Sequence, residues 1–290
     1  MPDTIDVPGY LTRLGLPELA GHRPSAEALD RLHRAHAERV PYECLEIQLG
    51  RPTTVCPAES LRRVVAGRGG YCFHLNGAFS ALLRALGYTV TRHVGGVQGR
   101  PEDPAGANAS HLVLTVTGLP SAAAPDGEWL VDLGMGDGLH GPLPLVAGEY
   151  RQGPFRYTLR PSDVEPGGWR FDHDPSGTFH GMDFRSEPAR MSEFAAKHEE
   201  LSTSPESGFV RVPAVLRRDA TGVDILRGST LKRVGADPSR AELTTPGAYF
   251  EALSGVFGLT FSAADRETLW RRVSEAERPD RDGAAPRVSP

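Results

Sequence analysis

An α+β fold is predicted from three observations on this sequence. Apolar residues recur at helical spacing in the first third, two-residue alternation takes over from Tyr88, and strands mix with helices after about residue 190.

Ser25 suits the N-cap of a helix carrying Leu29, Leu32, Ala35 and Val40, which Pro41 limits. His33 and His36 are expected on its solvent side. A second helix follows Cys72, with Leu75, Phe79, Leu82, Leu83 and Leu86 at helical spacing and Gly87 as its stop. Cys72 then falls in the first turn, where unsatisfied N–H groups and the positive helix end favour an anion.

The period changes at Tyr88. Tyr88, Val90, Arg92 and Val94 alternate with Thr89, Thr91 and His93, a strand expected to end before Gly95-Gly96. Residues 111–116 alternate again, with His111, Val113 and Thr115 on one face, and residues 129–133 put Leu130 and Asp132 on one face. The Gly- and Pro-containing segment 118–127 closes a hairpin. If the hairpin is centred near residues 121 and 122, His111 lies directly opposite Asp132, with Cβ atoms about 4.5–5.5 Å apart. A one-residue slip would turn one partner to the other face.

Residues 155–159 and 169–171 are further short strands, so 88–190 forms a mainly antiparallel sheet or small barrel. Residues 192–198 are helical in character, and 202–208 form a loop. Residues 209–260 mix strands with a short helix over 249–253, and a last helix spans roughly 263–273. A polar, mobile tail ends the chain over 276–290.

Composition narrows the function classes. The 290 residues are 39% hydrophobic and 24% charged, which suits a soluble globular protein. A formal charge of −5 gives no basis for nucleic-acid binding, and the pairs Arg62-Arg63, Arg217-Arg218 and Arg271-Arg272 are expected on solvated faces. Cys44, Cys56 and Cys72 are an odd set that suits neither a disulfide framework nor a zinc site, so no metal is expected. No apolar run reaches the roughly 20 residues of a membrane span, and the acidic start is unlike a signal peptide. A cytoplasmic protein that keeps its thiols free is the expectation.

Cysteine acyl transfer needs a thiolate, an imidazole to take its proton, and an acid to hold that imidazole in its useful tautomer. Cys72, His111 and Asp132 occur in that order. Each has a plainer alternative: a core cysteine, or a strand histidine satisfied by backbone. Asp132, between Val131 and Leu133, would be costly to bury without a partner. Gly134 and Gly136 either admit a thioester-bearing substrate to the backbone or shape a turn. Arg68 either pairs with Glu43, tying the first helical region to the nucleophile turn, or lies unrelated to it.

The stretches Arg68-Gly-Gly-Tyr-Cys-Phe-His-Leu-Asn76, Ser110-His-Leu-Val-Leu114 and Val131-Asp-Leu-Gly-Met-Gly136 resemble the arylamine N-acetyltransferase family, also described as N-hydroxyarylamine O-acetyltransferases. Pro41-Tyr-Glu-Cys-Leu45, Leu49-Gly-Arg51 and Ser202-Thr-Ser-Pro-Glu-Ser-Gly-Phe209 add to the likeness, which runs from Tyr10 to about Leu231. The resemblance implies a helical subdomain carrying the nucleophile (1–87), a central antiparallel β-barrel (88–190) and a C-terminal α/β lid (191–275). It also implies a Cys72–His111–Asp132 triad that passes an acetyl group from acetyl-CoA to an arylamine, arylhydrazine or N-hydroxyarylamine in a ping-pong cycle. Acetyl-CoA would be a substrate, with no cofactor permanently bound. Gly134 and Gly136 would lie beside the cleft; Met135, Phe73, His74, Arg68 and Glu43 would line the acceptor pocket or support the site. A monomer or weak homo-oligomer is expected.

Three positions depart from the family pattern: His74 stands where Glu is usual, Cys44 where Asn is usual, and Met135 where Phe is common. The same fold also suits an amide synthase that takes a larger acyl chain from an acyl carrier protein, a thioester or amide hydrolase, or a binding protein without activity.

Overall fold

The computed structural model describes residues 5–276, so all but the first residue of the tail at 276–290 lies outside the described residues. Helices α1 (Val7–Leu14) and α2 (Ala26–Arg39) come first, followed by the short strand β1 (Tyr42–Glu43), α3 (Leu45–Gln48), α4 (Pro57–Val65) and α5 (Cys72–Ala85). Ser25 caps α2 by accepting from Ala28 N–H at 3.1 Å. The buried stripe of α2 is Leu29, Leu32, His33, His36 and Ala37, so both histidines are fully buried instead of facing solvent. Their spacing continues the leucine stripe, and helix geometry carries them inward whatever their polarity.

Eight strands follow: β2 (Thr89–Gln98), β3 (His111–Thr117), β4 (Trp129–Val131), β5 (Leu143–Pro144), β6 (Gly148–Gln152), β7 (Phe155–Pro161), β8 (Trp169–Asp172) and β9 (Gly181–Pro188). They form one antiparallel sheet in the order β5-β4-β3-β2-β9-β8-β7-β6. Gln152 ties its two ends, donating to Gly141 O at 2.8 Å and accepting from His140 N–H at 2.8 Å. The sheet is therefore a near-closed barrel whose last seam is held by side chains. Leu130, Tyr157, Leu159, Phe171, Met182 and Phe184 fill it. Strand β2 does not stop at Gly95-Gly96 but runs on to Gln98, with a register shift against β9 between His93 and Gly95.

The hairpin register differs from expectation by two residues. Leu114 pairs with Val131 and Val116 with Trp129, so Asp132 falls beyond the end of β4, opposite Val113 if the register is continued. The turn segment makes its own bonds, Leu119 N–H to Gly127 O and Ser121 N–H to Ala124 O, and these set the offset. A shift of two keeps His111 and Asp132 on one face as diagonal neighbours.

The remaining elements are α6 (Ala195–Thr203), α7 (Gly208–Arg211), β10 (Ala214–Arg218), β11 (Gly222–Arg227), β12 (Thr230–Gly235), β13 (Ser239–Glu242), α8 (Pro246–Gly255) and α9 (Ala263–Ala276). Their sheet has the order β1-β10-β11-β12-β13, so its first strand comes from the N-terminal region. Through β1 this second sheet touches the nucleophile turn, because Tyr42 bridges Gly70 and Glu43 N–H donates to Gly70 O at 2.9 Å. No helix among the described residues is long and apolar enough to cross a membrane.

Candidate active site

Cys72 is the first residue of α5 and only 4% exposed. The chain turns into the helix at Gly69-Gly70, where a Cβ on Gly69 would overlap the Pro41 carbonyl oxygen. This close approach lets β1 lie beside the turn. The Cys72 thiol donates to Ser110 O at 3.6 Å, the residue before His111.

His111 opens β3, and its Nε2 lies 2.7 Å from Asp132 Oδ2 with both side chains buried. The hydrogen on Nε2 is committed to the carboxylate, which leaves Nδ1 as the nitrogen able to face Cys72. Burial alone would favour a neutral ring. The charge and hydrogen bond of Asp132, assisted by Cys72, overcome it and raise the His111 pKa to about 10. The carboxylate thus makes the ring a stronger base towards the Cys72 thiol.

Asp132 Oδ1 accepts from Asn76 Nδ2 at 2.9 Å and from Gly134 N–H at 2.8 Å. Asn76 also donates to Leu112 O at 2.6 Å and accepts from Leu133 N–H at 2.8 Å, so one amide on the second turn of α5 staples β3 to the chain after β4. Sequence reasoning quoted Asn76 in the cysteine motif without giving it a role. Its signal was a polar residue one helical turn after Cys72, on the side that must meet the sheet.

Gly134 lies against the nucleophile: an added Cβ would stand 2.6 Å from Cys72 Cα and 3.0 Å from Asn76 Nδ2. A side chain there would push the carboxylate strand away from the helix. Gly136 adopts a left-handed φ of 72° beside Tyr42 and Leu216, off the cleft wall.

A cavity of about 370 Å³ opens on Cys72 and His111. Met135 and Phe179 line it from the barrel side, and Phe209 on α7, Leu216 on β10 and Arg227 on β11 from the other. Of the supporting candidates only Met135 reaches this wall. Phe73 is fully buried in the core, its ring 5.2 Å from Phe194.

His74 lies behind the nucleophile turn, buried, with Nδ1 accepting from Tyr71 N–H at 3.3 Å and Nε2 3.1 Å from Thr53 Oγ1. Burial, then the charges of Arg63 and His198, hold its pKa well below the usual histidine range, so the ring is neutral and caps the helix as an acceptor. His198 completes the brace, with Tyr71 Oη 2.6 Å from Nδ1 and Thr53 O 2.7 Å from Nε2.

Glu43 and Arg68 do not form a direct ion pair. Glu43 accepts from Leu45 N–H at 2.5 Å and Gly69 N–H at 3.2 Å, holding the turn through backbone. Arg68 Nε lies 3.8 Å from Glu46, and its Nη1 donates to Thr260 O at 2.8 Å. The two acids lie three residues apart, and the arginine takes the more exposed one because Glu43 is sealed under the turn. Cys44 is buried, its thiol pushed up to about 12 by burial, and it is inert at neutral pH.

Comparison with known proteins gives a consistent result. A family profile described as N-acetyltransferase matches residues 25–266. The arylamine N-acetyltransferase of Mycolicibacterium smegmatis is 32% identical over 285 residues, covering 93% of this chain and 98% of the relative. Among solved structures, the M. smegmatis arylamine N-acetyltransferase superposes with a TM-score of 0.81 at 28% identity, covering 94% of this chain and 98% of the other. The Mycobacterium marinum arylamine N-acetyltransferase in complex with CoA superposes with a TM-score of 0.80 at 25% identity, covering 93% and 99%.

Proposed function

This chain belongs to the arylamine N-acetyltransferase family, and from that premise we propose that Cys72, His111 and Asp132 act as nucleophile, base and orienting acid. The protein transfers an acetyl group from acetyl-CoA to an arylamine, arylhydrazine or N-hydroxyarylamine through a cysteine thioester, in a ping-pong cycle.

In the first half-reaction Cys72 Sγ attacks the thioester carbonyl of acetyl-CoA while its proton passes to His111 Nδ1. The bond to the CoA sulfur breaks, and the sulfur leaves with that proton. In the second half, the amine attacks the acetyl-Cys72 carbonyl and gives a proton to His111. The bond to Cys72 Sγ then breaks and the thiol recovers the proton. Asp132 stabilises the imidazolium at both stages, in keeping with its 2.7 Å bond to Nε2. Apolar walls beside the thioester keep water from competing with the amine.

In this reading the helical part (1–87) presents the nucleophile, the barrel (88–190) supplies base and acid, and the lid (191–275) closes the cleft. Gly134 flanks the path of the acyl donor, and Gly136 shapes the turn behind it. The enzyme works in the cytoplasm, which suits three free thiols, as a monomer or weak homo-oligomer.

The observation that carries this reading is the buried His111–Asp132 pair held at the helix start where Cys72 opens on the cavity. Mixing the protein with acetyl-CoA should add one acetyl group to Cys72 in an intact-protein mass spectrum, and an arylamine should remove it with formation of the amide. An unmodified Cys72, or acylation only by long carrier-bound thioesters, would overturn the acetyl-transfer assignment.

A further inference from the structure

The C-terminal sheet carries five arginines, and four have partners, Arg240 with Glu242 at 3.0 Å among them. Arg217 lies 3.1 Å from Asp224, and Arg233 bridges Asp224 and Asp219 at 2.9 Å each. Arg218 is buried and donates to Gln152 O at 2.9 Å and Gly222 O at 3.1 Å. Arg227, the last residue of β11, is different. Among the described residues its guanidinium has no hydrogen-bond or ion-pair partner, although it is half-buried and lines the Cys72 cavity. Its electrostatic neighbour is the Cys44 thiol, which is neutral.

Among the described residues no carboxylate lines that cavity. Its surface is dominated by apolar and aromatic groups, among them Tyr42, Phe179 and Phe209, so Arg227 brings a fixed positive charge to walls otherwise suited to an aromatic ring. A half-buried cation without a counter-charge is a cost to the fold that a bound anion would offset.

Resting on the acetyl-transfer reading above, we propose that Arg227 is an acceptor-specificity residue: its guanidinium binds the carboxylate of an aminobenzoate-type aromatic amine whose amino group is turned to Cys72. A compact cavity of about 370 Å³ is roughly 9 Å across. An aminobenzoate extends roughly 6 Å from nitrogen to carboxylate carbon, and an attacking nitrogen stands about 3 Å from the thioester carbon. Together these lengths match the cavity. The phosphates of acetyl-CoA stand about 15 Å from its sulfur when the pantetheine arm is extended, farther than this cavity reaches. A planar guanidinium gripping a carboxylate with two parallel N–H bonds would also fix the ring orientation.

The test compares 4-aminobenzoate with its uncharged methyl ester, in wild type, Arg227→Gln and Arg227→Lys. The kcat/KM ratio of acid to ester should exceed one in wild type and fall about tenfold to a hundredfold in Arg227→Gln, with partial recovery in Arg227→Lys. Calorimetric binding of 4-aminobenzoate to Cys72→Ala, with and without Arg227→Gln, reads the same contact without turnover, and the arginine should strengthen binding by a similar factor. A ratio unmoved by Arg227→Gln, or equal binding in the two proteins, overturns the proposal. So does slower acetylation of Cys72 by acetyl-CoA that vanishes with the phosphate-free thioester S-acetyl-N-acetylcysteamine, which would assign Arg227 to the donor. Failure of wild type to form acetyl-Cys72 would instead bring down the acetyl-transfer reading and leave the binding measurement to decide the role of Arg227.

Discussion

Buried histidines meet α5 in two places, His111 beside Cys72 and the pair His33 and His36 beside Phe79, and their pKa values move in opposite directions. His111 is 1% exposed with its pKa raised to about 10, whereas His33 and His36 are fully buried with theirs lowered to about 4 and about 3. Burial is the largest influence on all three and favours the neutral ring in each. The difference lies in partners. His111 has the Asp132 carboxylate at 2.7 Å; His33 has a backbone carbonyl, His140 O, at 3.1 Å; and His36 has no hydrogen-bond partner at either ring nitrogen among the described residues. A buried histidine becomes an acid–base group where a fixed charge has been brought in to oppose desolvation, and elsewhere it is a polar filler.

The strongest attempt to break this contrast is Asp132→Asn. It should make His111 resemble His33, a weaker base, and slow acetylation of Cys72 by about 10³- to 10⁴-fold, read by single-turnover mass spectrometry. A loss below tenfold would mean that the carboxylate does not control the ring.

A second effect is expected in the pH dependence of stability, with opposite signs for the two groups. His33 and His36 have depressed folded pKa values, so their contribution is fully present above about 6.5 and is lost as pH falls towards about 4 and 3. His111 has a raised value, so its contribution is fully present below about 6.5 and is lost as pH rises through about 10. Urea unfolding across that range should show both limbs, each on the order of a few kcal/mol. His36→Leu should flatten the acid limb alone, and Asp132→Asn the alkaline limb alone; a variant that flattens both would refute the assignment.

Asn76→Ala should come next, costing about 1–3 kcal/mol in stability because two backbone groups and one Asp132 oxygen lose a buried partner. Its rate of Cys72 acetylation should fall less than that of Asp132→Asn, and an equal fall would put the contrast in the brace rather than the charge. The smallest effect belongs to His74→Gln. The amide oxygen can still accept from Tyr71 N–H, so melting should shift by under about 1 kcal/mol, whereas His74→Ala should lose about 1 kcal/mol with the cap.

Much of the site was legible because its parts are local. Glycines before Cys72, an apolar helix after it, and alternation around His111 and Asp132 each follow from short-range geometry. The facing of His111 and Asp132 survived a wrong register because the error was two residues, and strand faces repeat every two. His33 and His36 were misplaced for the opposite reason. Their positions on the Leu29–Leu32 stripe said inward, and their polarity was allowed to outweigh the periodicity.

What the sequence determined by itself was therefore everything set by covalent spacing: the helix that starts at Cys72, the shared face of His111 and Asp132, and the change of period at Tyr88. The tertiary structure decided the rest. It joined β1 to the C-terminal sheet, sent Arg68 to Glu46 instead of Glu43, set Asn76 between helix and hairpin, and left Arg227 against the cavity without a partner among the described residues. Each of these depends on which distant segments meet, and a charge or amide acquires its role only from the partner that burial puts beside it.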